Sequence, residues 1–122
     1  MPTDPQPVTL AQLVHRAVQT CDPDGSDDAL SDLLHRFEDA EEPVGAVADV
    51  EQRMAEATGA IEPDGALPSL LMASAIVVYL AHRRDELDAP RETLLSLAAR
   101  AEFGGHPPAH VSQWLEAEGV AV

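Results

Sequence analysis

Apolar residues recur along most of this 122-residue chain at the three- and four-residue spacing of amphipathic helices. Between them lie prolines, glycines and short acidic turns, so the pattern predicts helices joined by brief connections. Three prolines occur within residues 1–7, which are expected to form a flexible tail, whereas residues 8–122 are expected to form a single helical domain. The predicted helices are 9–20, 26–40, 43–58, 67–84, 90–103 and 108–118.

Several helix ends have local signatures. Thr9 and Gln12 have the spacing of a capping box, and Ser26 is in position to cap the second helix. Pro43 suits the first residue of the third helix, because proline fixes a helical φ and its missing N–H has no partner there in any case. Gly59 is expected to end that helix.

The predicted helix 67–84 is apolar nearly all round, which is typical of a helix enclosed by others. Aromatic residues make up only 3% of the chain, so the core must be built from Leu, Val and Ala, and these residues favour closely packed helices. We therefore predict an all-α domain of five to six helices, in an orthogonal or irregular bundle around this central apolar helix.

The formal net charge is −15, from 22 acidic residues and 7 arginines. Binding to nucleic acid or to anionic lipid depends on cationic side chains, so neither partner is expected. Two interpretations of the charge remain: solubility or adaptation to a salty cytoplasm, and a docking face for a basic protein. The chain has neither Lys nor Asn and is rich in Ala, Gly, Arg and Pro, a usage typical of a GC-rich prokaryotic genome.

The cysteine count and the lack of targeting segments in the sequence bear on where the protein is found in the cell. Cys21 is the single cysteine, so it forms no disulfide within the chain. The first residues, MPTDPQP, contain neither the basic region nor the apolar run of a signal peptide, and the longest apolar run, near 67–81, is too short to cross a bilayer. We expect a cytoplasmic protein.

The stretch CDPDGSDDAL places four carboxylates within residues 22–28. A calcium loop of the EF-hand type needs glycine at its sixth position and glutamate at its twelfth. Counted from Asp22, those positions hold Asp27 and Leu33. A type I turn followed by a helix start accounts for every residue of the stretch, and this is the predicted structure.

Histidine follows a short apolar run and precedes arginine in three places, at His15, His35 and His82. Helical spacing puts two carboxylates on the face of His35 and one four residues after His82, so two helices could meet at a metal or small-molecule site. Candidate ligands for this hypothesis are Asp32, His35, Asp39, His82 and Glu86. No resident cofactor is predicted, because this ligand set lacks the paired Glu-x-x-His pattern of di-iron bundles.

Catalysis has no recognisable set of residues, since no nucleophile, base and orienting group can be named together. We therefore expect a binding protein and not an enzyme. The segment LAARAEFGGHPPAHVSQWL, from Leu97, resembles a helix-turn-helix, which implies a transcription regulator using the last two helices. The second of these helices has no Lys or Arg, and Glu116 and Glu118 would face phosphates.

Our leading prediction is a small acidic module that binds another protein, as an adaptor, a regulator or the neutralising partner of a basic protein. The alternatives are a metal- or small-molecule-binding bundle, which could be enzymatic, and the helix-turn-helix regulator. A homodimer is compatible with each of them. Candidate partner-binding residues are Arg83, Arg84, Trp114, Glu116 and Glu118, with Trp114 as a candidate exposed contact.

Overall fold

A computed structural model describes residues 8–46, 49–83 and 86–120 of the chain. The predicted tail, residues 1–7, lies outside these ranges. Within them the chain is all-helical and contains no strand beyond an isolated bridge between Thr9 and Pro43. The helices are α1 (Leu10–Cys21), α2 (Asp28–Phe37), a 3₁₀ turn (Val44–Ala46), α3 (Val50–Ile61), α4 (Pro68–His82), α5 (Arg91–Phe103) and α6 (Ala109–Ala117).

The start of α1 confirms the predicted capping box. Thr9 Oγ1 accepts the Gln12 N–H at 3.2 Å, and Gln12 Oε1 accepts the Thr9 N–H at 2.8 Å. The segment 40–44 satisfies the neighbouring backbone groups: Leu10 and Ala11 donate N–H groups to the carbonyls of Glu42 and Ala40. A helix start that is ordinarily solvated is therefore held against another part of the chain.

CDPDGSDDAL forms the predicted turn and helix start, but the capping residue is Asp27 and not Ser26. Asp27 Oδ1 accepts the N–H groups of Ala29 and Leu30, at 3.0 and 3.2 Å. The two carboxylate oxygens of Asp22 accept the N–H groups of Ser26 and Asp27, which leaves Ser26 in the turn, one residue too early to cap.

The prediction for α3 was wrong at both ends. Pro43 bridges to Thr9 and precedes the 3₁₀ turn, and α3 begins only after Asp49, which caps it from a left-handed conformation with φ of 58°. Gly59 lies inside the helix, which continues to Ile61 because that side chain packs against the core. Residues 47 and 48, within the predicted range of this helix, lie outside the described residues.

α4 is the central helix, as predicted. It packs against α1, α2, α3, α5 and α6, and buried residues occur all round it. Its fully buried side chains include Met72, Ile76 and Leu80. In the described ranges no helix is both long and apolar enough to span a membrane.

The last two helices begin one residue after their predicted starts, and each directly follows a proline. Pro90 precedes α5 and Pro108 precedes α6, while Gly104 in the left-handed region ends α5. Arg91 Nε donates a 2.6 Å hydrogen bond to the Thr20 carbonyl and so joins the start of α5 to the end of α1. This contact and the Arg16 contacts described below fix the segment that leads into α5.

Candidate functional site

A groove with a volume of about 680 Å³ lies where α1 meets the C-terminal half of α2 and segment 86–89, which precedes α5. We call it the α1–α2 groove. It combines half-buried apolar residues with polar and charged ones, and three separate parts of the chain contribute to it. Its lining consists of Ala11, Gln12, His15, Arg16, Gln19, Leu34, Glu38, Leu87 and Asp88.

α1 supplies one wall of the groove because its two faces differ. Leu10, Leu13, Val14, Ala17 and Val18 are buried in the core. The opposite face carries Gln12, His15 and Gln19, which are exposed at intervals of three and four residues. Successive turns of α1 therefore present a row of polar side chains along the groove.

The apolar part of the groove is continuous with the core. Ala11, Leu34 and Leu87 are half-buried and pack against buried core residues, so each offers its remaining surface to the groove. These residues come from α1, α2 and segment 86–89, respectively. A partner side chain that covered them would remove apolar surface from water, which is the main driving force of association.

Arg16 holds segment 86–89 against α1. Its Nε donates to the Leu87 carbonyl at 3.0 Å, and its Nη2 donates to the Ala89 carbonyl at 2.6 Å. The guanidinium is thus used to fix the wall that carries Leu87 and Asp88. Two of its donors are already occupied, which makes Arg16 a structural cation more than a docking site for an anion.

The remaining charge of the groove is acidic. Asp88 is exposed, and the Glu38 side chain keeps 58% of its surface exposed while it contacts His35 Nδ1 at 3.2 Å. Most other described arginines are also engaged in the fold: Arg36 pairs with Asp32 and Arg53 pairs with Glu42. These arginines remain partly exposed, and each offsets one surface carboxylate.

The metal hypothesis gains no support from the positions of its candidates. His35 is exposed on α2, Asp39 is exposed in the turn after that helix ends at Phe37, and Asp32 pairs with Arg36. His82 ends α4 and lines a separate cavity of about 300 Å³ with Asp49 and Glu51, among other residues. Glu86 accepts hydrogen bonds from Tyr79 and Arg83. Among the described residues, no three His, Cys, Asp or Glu side chains form a group that could hold a metal ion.

The candidate partner-binding residues are also dispersed. Trp114 is half-buried against the core, so it offers less surface than an exposed contact would. Arg83 pairs with Glu86 at 2.9 Å, and Arg84 lies outside the described residues. Glu118 Oε2 is 3.3 Å from Arg91 Nη2, a contact without the geometry of a hydrogen bond.

Glu116 is the exposed member of this set on α6 and lines a cavity of about 430 Å³. That helix packs on α4 through its buried residues Val111 and Leu115. The helix-turn-helix resemblance stays a prediction about this region, since nothing in the packing of α6 identifies a groove-binding face.

Cys21 is a buried residue at the end of α1. Burial raises the pKa of its thiol well above the ordinary range, and the nearby Arg91 charge only partly offsets this effect. A thiol held in its neutral form is a poor nucleophile and a poor metal ligand. Cys21 is therefore part of the core and not a reactive group.

Sequence reasoning missed most of the groove. Of its lining residues, Gln12 was predicted only as part of a helix cap, and His15 only as part of the repeated histidine–arginine phrase. No motif marks Leu87 or Asp88, whose position depends on Arg16 contacts that span more than seventy residues of sequence. No family model, no curated protein and no solved structure matches this chain.

Proposed function

We propose that this chain is an acidic protein-interaction module, and that its α1–α2 groove binds a basic segment of a partner protein. The observation that carries the proposal is the groove itself: apolar surface from Ala11, Leu34 and Leu87 beside two exposed carboxylates, Glu38 and Asp88. Grooves of this composition suit a protein ligand, because apolar contact supplies affinity and charge supplies orientation.

The charge of the whole molecule favours the same class of partner. At −15 the chain attracts a cationic protein over a distance of about 10 Å at 0.1 M salt and repels nucleic acid and anionic lipid. The proposal includes a cytoplasmic location, where the protein would meet such a partner. In the cell the protein would act as an adaptor, as a regulator or as the neutralising partner of a basic protein.

The direct test compares two double variants that lose the same charge. Glu38→Gln/Asp88→Asn removes the carboxylates of the groove, whereas Asp64→Asn/Glu102→Gln removes two exposed carboxylates elsewhere. Binding of a fluorescein-labelled peptide rich in Leu and Arg is measured by anisotropy at low and at 0.3 M salt. An exposed ion pair contributes roughly 0.2–1 kcal/mol, so the loss of two should weaken binding by the groove variant about two- to thirtyfold.

The matched variant should keep nearly the wild-type Kd, with only a modest fall in association rate. Equal weakening by both variants would mean that the peptide responds to net charge alone, and the groove would lose its proposed role. Absence of binding by the wild type at low salt would refute the function itself.

A further inference from the structure

The geometry of the α1–α2 groove points to the form of its ligand. We infer that the bound segment is an amphipathic α-helix, with its apolar face over Ala11, Leu34 and Leu87 and with cationic side chains beside Glu38 and Asp88. This inference rests on the proposed function, and it specifies the partner's secondary structure and the order of its residues.

The dimensions of the groove suit about two turns of helix. Its wall on α1 runs from Ala11 to Gln19, and at 1.5 Å per residue these positions span about 12 Å. An incoming helix places side chains at i, i+3 or i+4, and i+7 over that length. A groove of about 680 Å³ can accept several apolar side chains of that row at once.

Backbone hydrogen bonding argues against an extended ligand. An extended peptide usually gains affinity by adding a strand to a sheet edge. The described residues of this chain offer no sheet edge, and the isolated bridge between Thr9 and Pro43 already joins two of its own segments. A helix satisfies its own backbone groups, so it can enter a groove lined by side chains without leaving those groups unpaired.

The two carboxylates belong to different walls. Glu38 follows α2, and Asp88 lies in segment 86–89, which Arg16 fixes against α1. A helix with cations on both sides of its apolar face can approach both carboxylates, whereas a second copy of this chain, at a net charge of −15, is repelled. The occupant is therefore a cationic helix of another protein.

The experiment uses the full-length chain and three synthetic 14-residue peptides with capped ends. The first places Leu at i, i+4, i+7 and i+11 with Arg on both flanks. The second has the same composition in an order that forms no apolar face. The third is the first peptide with two central residues changed to Pro, which prevents a continuous helix. Affinity is measured by calorimetry, and helix content by circular dichroism of the mixtures.

Two protein variants locate the binding surface. Leu34→Gln changes the apolar part of the groove, near the end of α2. Leu67→Gln changes an exposed leucine just before α4, which lies near the start of α2 and so away from the groove. Thermal unfolding of both variants confirms that they are folded. The first peptide should gain helix content on binding and bind at least tenfold more tightly than the other two. Leu34→Gln should weaken it about tenfold, and Leu67→Gln should not.

Each other outcome decides a different point. If all three peptides bind alike and Glu38→Gln/Asp88→Asn weakens them alike, the helical inference is wrong while the basic-segment function stands. If no peptide binds, both fail. If light scattering shows a dimer that Leu34→Gln dissociates and Leu67→Gln leaves intact, the groove is covered by a second copy and the inferred occupant is wrong.

Discussion

At the scale of single residues, Asp27 joins two helices with one side chain. Its Oδ1 caps α2, and its Oδ2 accepts the Ser69 hydroxyl of α4 at 2.7 Å. Ser69 is buried, so its hydroxyl depends on this partner. The cap that starts α2 is therefore also the polar contact that sets α2 against the central helix.

Substitution of Asp27 should therefore lower the free energy of unfolding by more than the loss of an ordinary helix cap does. For Asp27→Ala we expect unfolding free energy to fall by about 2 kcal/mol, since a cap contributes about 1 kcal/mol and the buried Ser69 hydroxyl adds a comparable penalty. Ser26→Ala, at the residue that sequence favoured as the cap, should cost under about 0.5 kcal/mol. Urea denaturation measures both. A larger loss for Ser26→Ala would show that the capping assignment is wrong.

The confusion between these two residues shows what local sequence can and cannot determine. Ser26, Asp27 and Asp28 are all good capping residues, and the pattern alone places the helix start only to within a residue or two. The choice is made by two contacts that the pattern does not contain: Asp22 holds the Ser26 N–H, and Ser69 holds the second oxygen of Asp27.

At the scale of elements, segment 86–89 is a wall of the groove that has little regular structure of its own. Glu86 at its start accepts hydrogen bonds from Tyr79 and Arg83, and the carbonyls of Leu87 and Ala89 accept the two hydrogen bonds from Arg16. Leu87 adds a half-buried apolar contact. The part of the wall that carries Leu87 and Asp88 is therefore fixed chiefly by one arginine of α1.

Replacing that arginine should loosen the wall while the helices remain. For Arg16→Met, which keeps much of the side chain's apolar stem, we expect amide hydrogen exchange in segment 86–89 to accelerate about tenfold, equivalent to about 1.4 kcal/mol of local stability. Exchange followed by mass spectrometry measures this. Arg100→Met, at an exposed position on α5, is the matched control. Unchanged exchange in Arg16→Met would mean that other contacts hold the segment.

Elements with strong local signals were predictable, and those that depend on distant contacts were not. α1 and α4 follow from a capping box and an all-apolar stretch. The start of α3 does not, because Pro43 is drawn into a bridge with Thr9 and the helix begins only at the cap Asp49. The groove could not be predicted for the same reason. Arg16 of α1 binds backbone carbonyls, and since every residue has a carbonyl, no sequence pattern marks these partners.

At the scale of the whole molecule, the acidic surface opposes folding. A few carboxylates in the described ranges pair with arginines, such as Asp32 with Arg36 and Glu42 with Arg53, whereas most of the others there are exposed to solvent. Repulsion among them destabilises the compact state and is screened by salt. The ion pairs in the described ranges compensate only a small part of this repulsion.

Sodium chloride should therefore stabilise the fold. Between 20 mM and 0.5 M we expect Tm to rise by about 3–8 °C, in line with roughly 1–2 kcal/mol of relieved repulsion for a domain of this size. Differential scanning fluorimetry at pH 7.5 measures it. A variant with three exposed acids neutralised, Glu51→Gln/Glu56→Gln/Asp64→Asn, should start higher and respond less. A Tm independent of salt in both proteins would contradict the self-repulsion.

The central helix has a further consequence for the chain once it unfolds. α4 contains the run AIVVYL, residues 75–80, which is uncharged and rich in β-branched side chains, a composition typical of aggregation-prone segments. In the native bundle the surrounding helices cover most of it. In the unfolded chain, mutual repulsion between molecules is the main barrier to its self-association. Salt should then raise Tm and at the same time make heat denaturation less reversible, so the acidic surface that strains the native fold protects the chain against precipitation.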